Sequence, residues 1–114
     1  MTPTLFPPMR VGTQPGFTAL TTTSGQARAT ALGVRHAYAS LDALLADDAV
    51  QIVHVTSPND LHVSQSRAIL AAGKHVVCEK PLALDAEGAA RIEAAAIAAD
   101  RVLAVPYVYR FHPT

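Results

Sequence analysis

Apolar residues recur along this chain in two rhythms, and the rhythm changes wherever turn residues fall. Residues 17–23 (Phe17-Thr18-Ala19-Leu20-Thr21-Thr22-Thr23) are rich in β-branched and aromatic types and follow the turn Pro15-Gly16, which predicts a strand. Gln26 to Leu32 is Ala-rich and stops at Gly33, the pattern of a short helix with its C-terminal glycine, and His36 to Ala39 predicts a brief strand. Ser40 is placed to cap a helix from Leu41, with Leu41, Leu44 and Leu45 on one face and Asp47-Asp48 at its end. Val50 to Thr56 is a short, mostly apolar run bounded by Ser57-Pro58-Asn59-Asp60, as expected of a strand buried at the centre of a parallel sheet.

The second half repeats the alternation more clearly. Leu61, Ala68, Ile69 and Ala72 recur at helical spacing up to Gly73, and His75 to Cys78 follows as a strand. Asp85 predicts the cap of a long helix through Ala99, with Ile92, Ala95, Ala96 and Ala99 on one face, leading into a last strand from Val102 to Val105. Strand and helix alternation implies right-handed crossovers, a doubly wound α/β fold with a mainly parallel sheet, and ligands bound outside the carboxyl ends of the strands.

Length and composition narrow the picture without changing it. At 114 residues, half of them hydrophobic and 16% charged, the chain fits one globular domain rather than a disordered segment. Nine Lys+Arg balance nine Asp+Glu, which gives no basic face for nucleic acid or an anionic membrane and favours a small neutral or anionic ligand. A single cysteine, Cys78, and no signal-like or spanning apolar run make the cytoplasm the expected compartment. The Pro-containing first 16 residues are the only shift in composition.

Three short segments fall just after expected strands and should line one rim: Thr22-Thr23-Ser24, then Thr56-Ser57-Pro58-Asn59 with His62, then Glu79-Lys80-Pro81. The last puts an acid and a base side by side at the ligand edge, with Pro81 restricting Lys80 to extended geometry. When an alcohol carbon gives up hydride, its hydroxyl proton must leave as the carbonyl forms. A lysine at that position can take it or hydrogen-bond the oxygen. Lys80 is therefore the first catalytic candidate, with Glu79 placed to hold that lysine or a ribose hydroxyl. An exposed surface Glu-Lys pair is the bland alternative.

Ser57-Pro58-Asn59-Asp60-Leu61-His62, the run AAGKHVVCEKPLAL from Ala71 to Leu84, and YVYRFHP from Tyr107 to Pro113 resemble, in the same order, the glucose-fructose oxidoreductase, inositol dehydrogenase and MocA family. The resemblance covers nearly the whole chain. It implies an amino-terminal Rossmann domain binding NAD or NADP, with Lys80 at the catalytic lysine position and Glu79 and Pro81 near the nicotinamide. Asn59 and His62 match the family's cofactor-facing loop, and Arg110 would approach the cofactor pocket from the crossing into a second domain. It also implies hydride transfer between nicotinamide and a sugar, inositol or related polyol.

Three departures qualify what the resemblance implies. No G-x-G-x-x-G follows a strand here; Gly12 and Gly16 precede one and read as turns. By position, the family's first strand, glycine loop and most of a helix are expected to be missing before Leu5, and its substrate domain after Thr114, so residues 1–114 make a partial NAD(P)-binding domain. Such a chain is expected to be inactive alone, to take a sugar or polyol only with a second domain, and to be marginally stable. Unpaired sheet edges would favour association with another chain, a homo-oligomer included. At the second strand's end, Thr22-Thr23-Ser24 stand where an acidic residue would select against a 2′-phosphate, which leans towards NADP tolerance without naming the cofactor.

Other readings are weaker. His75 and Cys78, the closest pair of metal-ligand types, are three apart on one strand and face opposite ways, so no metal is expected; His54 and Cys78 read as core. Ser57 with Asp60 and His62 loosely suggests a hydrolase elbow, but the flanking glycines are missing and Pro58 has no N–H for an oxyanion, so Ser57 reads as shaping the turn. A truncated, non-catalytic Rossmann-like binding or interaction module stands as the alternative to an enzyme.

Overall fold

The computed structural model describes residues 19–20, 30–31, 33–34, 36–107 and 113. The expected starts of the first strand and first helix, and with them Thr22, Thr23, Ser24 and Arg110, lie outside the described residues. The chain forms two compact units, residues 1–50 and 51–114.

In the first unit, strand β1 (Ala19–Leu20) pairs in parallel with β2 (Ala37–Tyr38), Ala19 opposite Ala37 and Leu20 opposite Tyr38. Thr30 and Ala31 are helical, and Gly33 follows with φ 70, its N–H bonded to the Thr30 carbonyl. That left-handed conformation suits a residue without Cβ, which is why the helical run stops there. Helix α1 (Leu41–Leu45) starts as the sequence suggests: Ser40 Oγ accepts the Ala43 N–H at 3.1 Å. Of its leucines, only Leu44 is buried. The Tyr38 hydroxyl donates to the Asp47 carboxylate just past the helix. That bond, with partial burial and the nearby negative charge, raises the Tyr38 pKa to about 12.

The second unit is a pair of consecutive βαβ crossovers. Strands β3 (Ile52–Val55), β4 (His75–Cys78) and β5 (Leu103–Ala104) are all parallel, in the order β3-β4-β5. A 3-10 turn (Asn59–Leu61) leads into α2 (His62–Ala71), and α3 (Ala86–Ala99) makes the second crossing. Helices α2 and α3 pack on each other, and α2 packs on β3 and β4. Val53, Val55, Ile69, Leu70, Val76, Cys78, Ile92 and Ala96 form the core between them.

Three expectations are corrected here. Among the described residues, β3 is an edge strand of a three-stranded sheet, with β4 central, because each crossover adds its strand beside the last. Along β3, burial alternates: Val53 and Val55 face the helices, while Ile52 is 61% exposed and His54 lies on that same open face. His54 is thus hydrogen-bonded but not core. On α2, of the four apolar residues expected on one face only Ile69 is buried; the buried stripe is His62, Ser66, Ile69 and Leu70, the i, i+4, i+7, i+8 spacing of one face. Two polar members disguised that stripe, and Leu61 belongs to the 3-10 turn, not the helix.

Helix α3 follows its expected bounds. Asp85 Oδ1 accepts the Gly88 N–H at 2.7 Å, and Asp100 closes the helix in the left-handed region at φ 52. Gly88 is buried where a Cβ would meet Val63 Cγ2 at 3.0 Å and Ala83 Cβ at 3.1 Å, so the glycine lets α3 approach α2 and the loop before it. At the opposite end of the strands, Arg101 donates to the Gly73 and Asp100 carbonyls at 2.6 and 2.8 Å. A cation there suits the carbonyl-rich ends of two helices.

Candidate functional site

Parallel strands deliver their carboxyl ends to one edge, and here the register sets the level. Val55 is opposite Cys78, and the Glu79 N–H donates to the Val55 carbonyl at 3.0 Å. Thr56 and Glu79 therefore leave the sheet side by side. Thr56-Ser57-Pro58-Asn59 turns into α2, and Glu79-Lys80-Pro81 opens the loop to Asp85; both segments belong to the second unit. The structure thus brings Thr56, Ser57, Pro58, Asn59, Glu79, Lys80 and Pro81 to one rim, with Lys80, Pro58 and Asn59 exposed. The Lys80-Pro81 peptide is cis.

Glu79 does not stand alone. Its Oε1 lies 3.1 Å from His54 Nε2, each side chain about one-third exposed at 34%. Sequence reasoning missed this pair: His54 is 25 residues upstream, and its only signal is a polar residue on the alternate face of an apolar strand. The carboxylate is thereby oriented along the open face of the sheet.

The loop after β3 is held from α2. Ser57 Oγ donates to Gln65 Oε1 at 2.5 Å, and the Ser57 carbonyl lies 2.9 Å from His62 Nε2. Ser57 shapes the turn, and the imidazole reaches its carbonyl rather than its hydroxyl, which is no nucleophile–base pair. The other ring nitrogen, His62 Nδ1, lies 2.7 Å from the Pro81 carbonyl. The residue is 1% exposed, and a carbonyl faces each ring nitrogen. Gln65 had no sequence signal as a partner of Ser57.

Beneath the rim, burial pushes the Cys78 thiol above its ordinary pKa; Ser66 pulls the other way and the Glu79 charge adds to the rise. Ser66 Oγ is buried without a hydrogen-bond partner of good geometry. Cys78 is a core thiol, on the opposite face of β4 from His75, whose Nδ1 accepts the Val102 N–H at 2.9 Å. Among the described residues, no group of three His, Cys, Asp or Glu side chains is arranged to hold a metal ion. Nor is any described helix long and apolar enough to cross a membrane. An open hollow of about 460 Å³ lined by Glu93, Ala96, Ile97, Asp100, Arg101 and Leu103 lies at the amino end of the strands, away from this rim. Its lining holds no convergent reactive groups, so the rim is the better candidate.

Comparison with known proteins agrees with this geometry. Residues 16–107 match the model of an oxidoreductase family with an NAD-binding Rossmann fold. A D-xylose 1-dehydrogenase (NADP(+)) of Haloferax volcanii is 42% identical over 92 residues, which are 77% of this chain and 28% of that protein. A scyllo-inositol 2-dehydrogenase (NADP(+)) of Bacillus subtilis is 44% identical over 48 residues, 42% of this chain and 15% of that protein. Among solved structures, the 3-ketoreductase KijD10 of Actinomadura kijaniata, in complex with NADP and TDP-benzene, superposes with a TM-score of 0.73 at 32% identity, covering 79% of this chain and 27% of that one. The chain thus spans roughly a quarter of the length of the first relatives it matches. The rim at the carboxyl ends of β3 and β4, its Glu-Lys-Pro segment and these matches agree: the chain belongs to the glucose-fructose oxidoreductase, inositol dehydrogenase and MocA family of oxidoreductases with an NAD-binding Rossmann fold.

Proposed function

We propose that this chain carries the nicotinamide side of an NAD(P)-dependent oxidoreductase acting on a sugar, inositol or related polyol. The observation that carries the reading is Lys80, exposed at the end of the central strand, beside Glu79 and across the rim from Thr56 to Asn59. The described rim suits the nicotinamide ribose: exposed polar groups from two adjacent loops and one carboxylate oriented by His54. The pyrophosphate end has no G-x-G-x-x-G turn in this sequence.

When bound, the nicotinamide supplies or accepts the hydride. Lys80 then takes the hydroxyl proton as the carbonyl forms, or returns it in the reverse direction. Glu79 orients the ribose, and Asn59 and Pro58 border it. NADP tolerance follows from Thr22-Thr23-Ser24 and agrees with the names of the xylose and inositol relatives. A cytoplasmic protein, homo-oligomeric and dependent on a second domain for substrate, completes the proposal.

A non-catalytic interaction module is the competing reading, and exposed Ile52, Ile97 and Val102 support it. Titration of the 114-residue chain with NADH and NADPH, following nicotinamide fluorescence and thermal shift together, separates the two. Saturable binding with stabilisation is the expected result. A folded chain that responds to neither dinucleotide would favour the interaction module.

A further inference from the structure

We propose that His62 is the positioning residue of this rim, its imidazole tying the Ser57 carbonyl to the Pro81 carbonyl and thereby fixing where Lys80 sits. The inference rests on the reading of Lys80 as the proton acceptor, and its geometry lies within residues 51–114.

Lys80 is exposed, and its backbone belongs to neither strand nor helix. Its place is set by its neighbours. On one side the Glu79 N–H is anchored to the Val55 carbonyl at 3.0 Å. On the other side Pro81 has no N–H, so its carbonyl is the backbone group it can offer, and that carbonyl lies 2.7 Å from His62 Nδ1. The opposite nitrogen reaches the Ser57 carbonyl at 2.9 Å, so one side chain spans the loops that follow β3 and β4. The ring is buried on the face of α2 that packs on the sheet. Gln65, one turn along, holds Ser57 Oγ at 2.5 Å and fixes the same loop a second time.

The hydrogen-bond inventory constrains the clamp. A neutral imidazole carries one N–H and donates to one carbonyl at a time; the doubly protonated ring donates to both. In either form the ring holds a buried N–H against a loop carbonyl, which shields that proton from water. Leu61, preceding His62, is 39% exposed, so sequence periodicity alone gave no hint that the next residue plugs the corner between the loops.

The test uses nitrogen and proton NMR on the whole chain with three substitutions. His62→Leu keeps apolar bulk and removes the ring's hydrogen bonding; His62→Gln restores a donor; Ile69→Val removes one methyl group from the same buried face of α2, seven residues further along. The proposal expects the amide signals of Glu79, Lys80 and Leu82 to shift or split in His62→Leu, to move back towards their original positions in His62→Gln, and to stay in place in Ile69→Val. It also expects His62→Leu to weaken dinucleotide binding about tenfold, the loss of one well-made hydrogen bond. In the unaltered chain, a His62 ring N–H should exchange slowly with water, a reading that needs no variant to fold.

Amide shifts at Glu79 to Leu82 no larger in His62→Leu than in Ile69→Val would overturn the proposal. So would a His62 ring proton exchanging as fast as that of a free imidazole. A chain that binds neither dinucleotide would defeat the functional reading alone, because the amide and ring signals still decide the clamp.

Discussion

Lys80 illustrates how much chemistry one residue's position can carry. Its side chain is exposed at the end of β4. In a complete relative with the same Glu-Lys-Pro segment, replacing the matching lysine by methionine should slow the chemical step by about 10² or more, about 2.7 kcal/mol of barrier. Single-turnover kinetics would measure this, and an unchanged step would remove the lysine from the mechanism. Tyr38 gives a second prediction, from the raised pKa. A phenol whose folded pKa lies above its unfolded value binds its proton more tightly when folded. The Tyr38–Asp47 bond is therefore fully stabilising below about pH 10 and is lost as pH rises towards about 12. Denaturant melts across that window should show the first unit losing stability relative to Tyr38→Phe; parallel losses in both would refute the linkage. At this scale the sequence was legible where residues are neighbours, as in Glu79-Lys80-Pro81. His54 against Glu79 and Gln65 against Ser57 were not, because the first pair meets only once the strands are in register and the second only once the loop after β3 has folded back on α2.

Elements were legible where a cap and a stripe agree. Helix α3 begins and ends where Asp85 and the Ile92/Ala96 face predict, and β4 matches His75 to Cys78. Helix α2 was located, but its buried face was misread, because His62 and Ser66 occupy core positions that pattern reasoning assigns to apolar residues. β3 was placed at the sheet's centre because its apolar run hid a two-residue alternation that leaves Ile52 exposed. Gly88 belongs to this scale too. Alanine would ordinarily favour a helix by up to about 1 kcal/mol over glycine. At this position its Cβ would meet Val63 Cγ2, Ala83 Cβ and Asp85 Oδ1 at 3.0–3.1 Å, the first two on short, stiff side chains and the third held by its hydrogen bond from the Gly88 N–H. Gly88→Ala should therefore destabilise the second unit by about 1–3 kcal/mol, as overpacking does. Chemical denaturation would check it, and a more stable variant would mean that α3 can slide away from α2.

For the whole molecule, the chain divides into two compact units, and the second carries the rim. At about 0.05–0.15 kcal/mol per residue, a unit of its length has about 3–10 kcal/mol of stability. Ile92 is fully buried on α3, the helix that packs on α2, and Ile92→Ala should cost about 2–5 kcal/mol, a large share of that stability. Circular dichroism melts should show the helices of this unit lost first, whereas a shift under 1 kcal/mol would mean that the core closes over the cavity. The alternation that gives a parallel α/β sheet could be read from periodicity; the division into two units could not, because it depends on which strands pair. The central claim is that the nicotinamide cofactor sits on the rim at the carboxyl ends of β3 and β4. Its most direct test maps amide chemical shifts of the chain during titration with NADH and NADPH. The account predicts saturable shifts that include Thr56, Ser57, Asn59, Glu79, Lys80 and Leu82, with Glu93–Arg101 unchanged. Shifts centred on the Glu93–Arg101 hollow, with the rim silent, would contradict it.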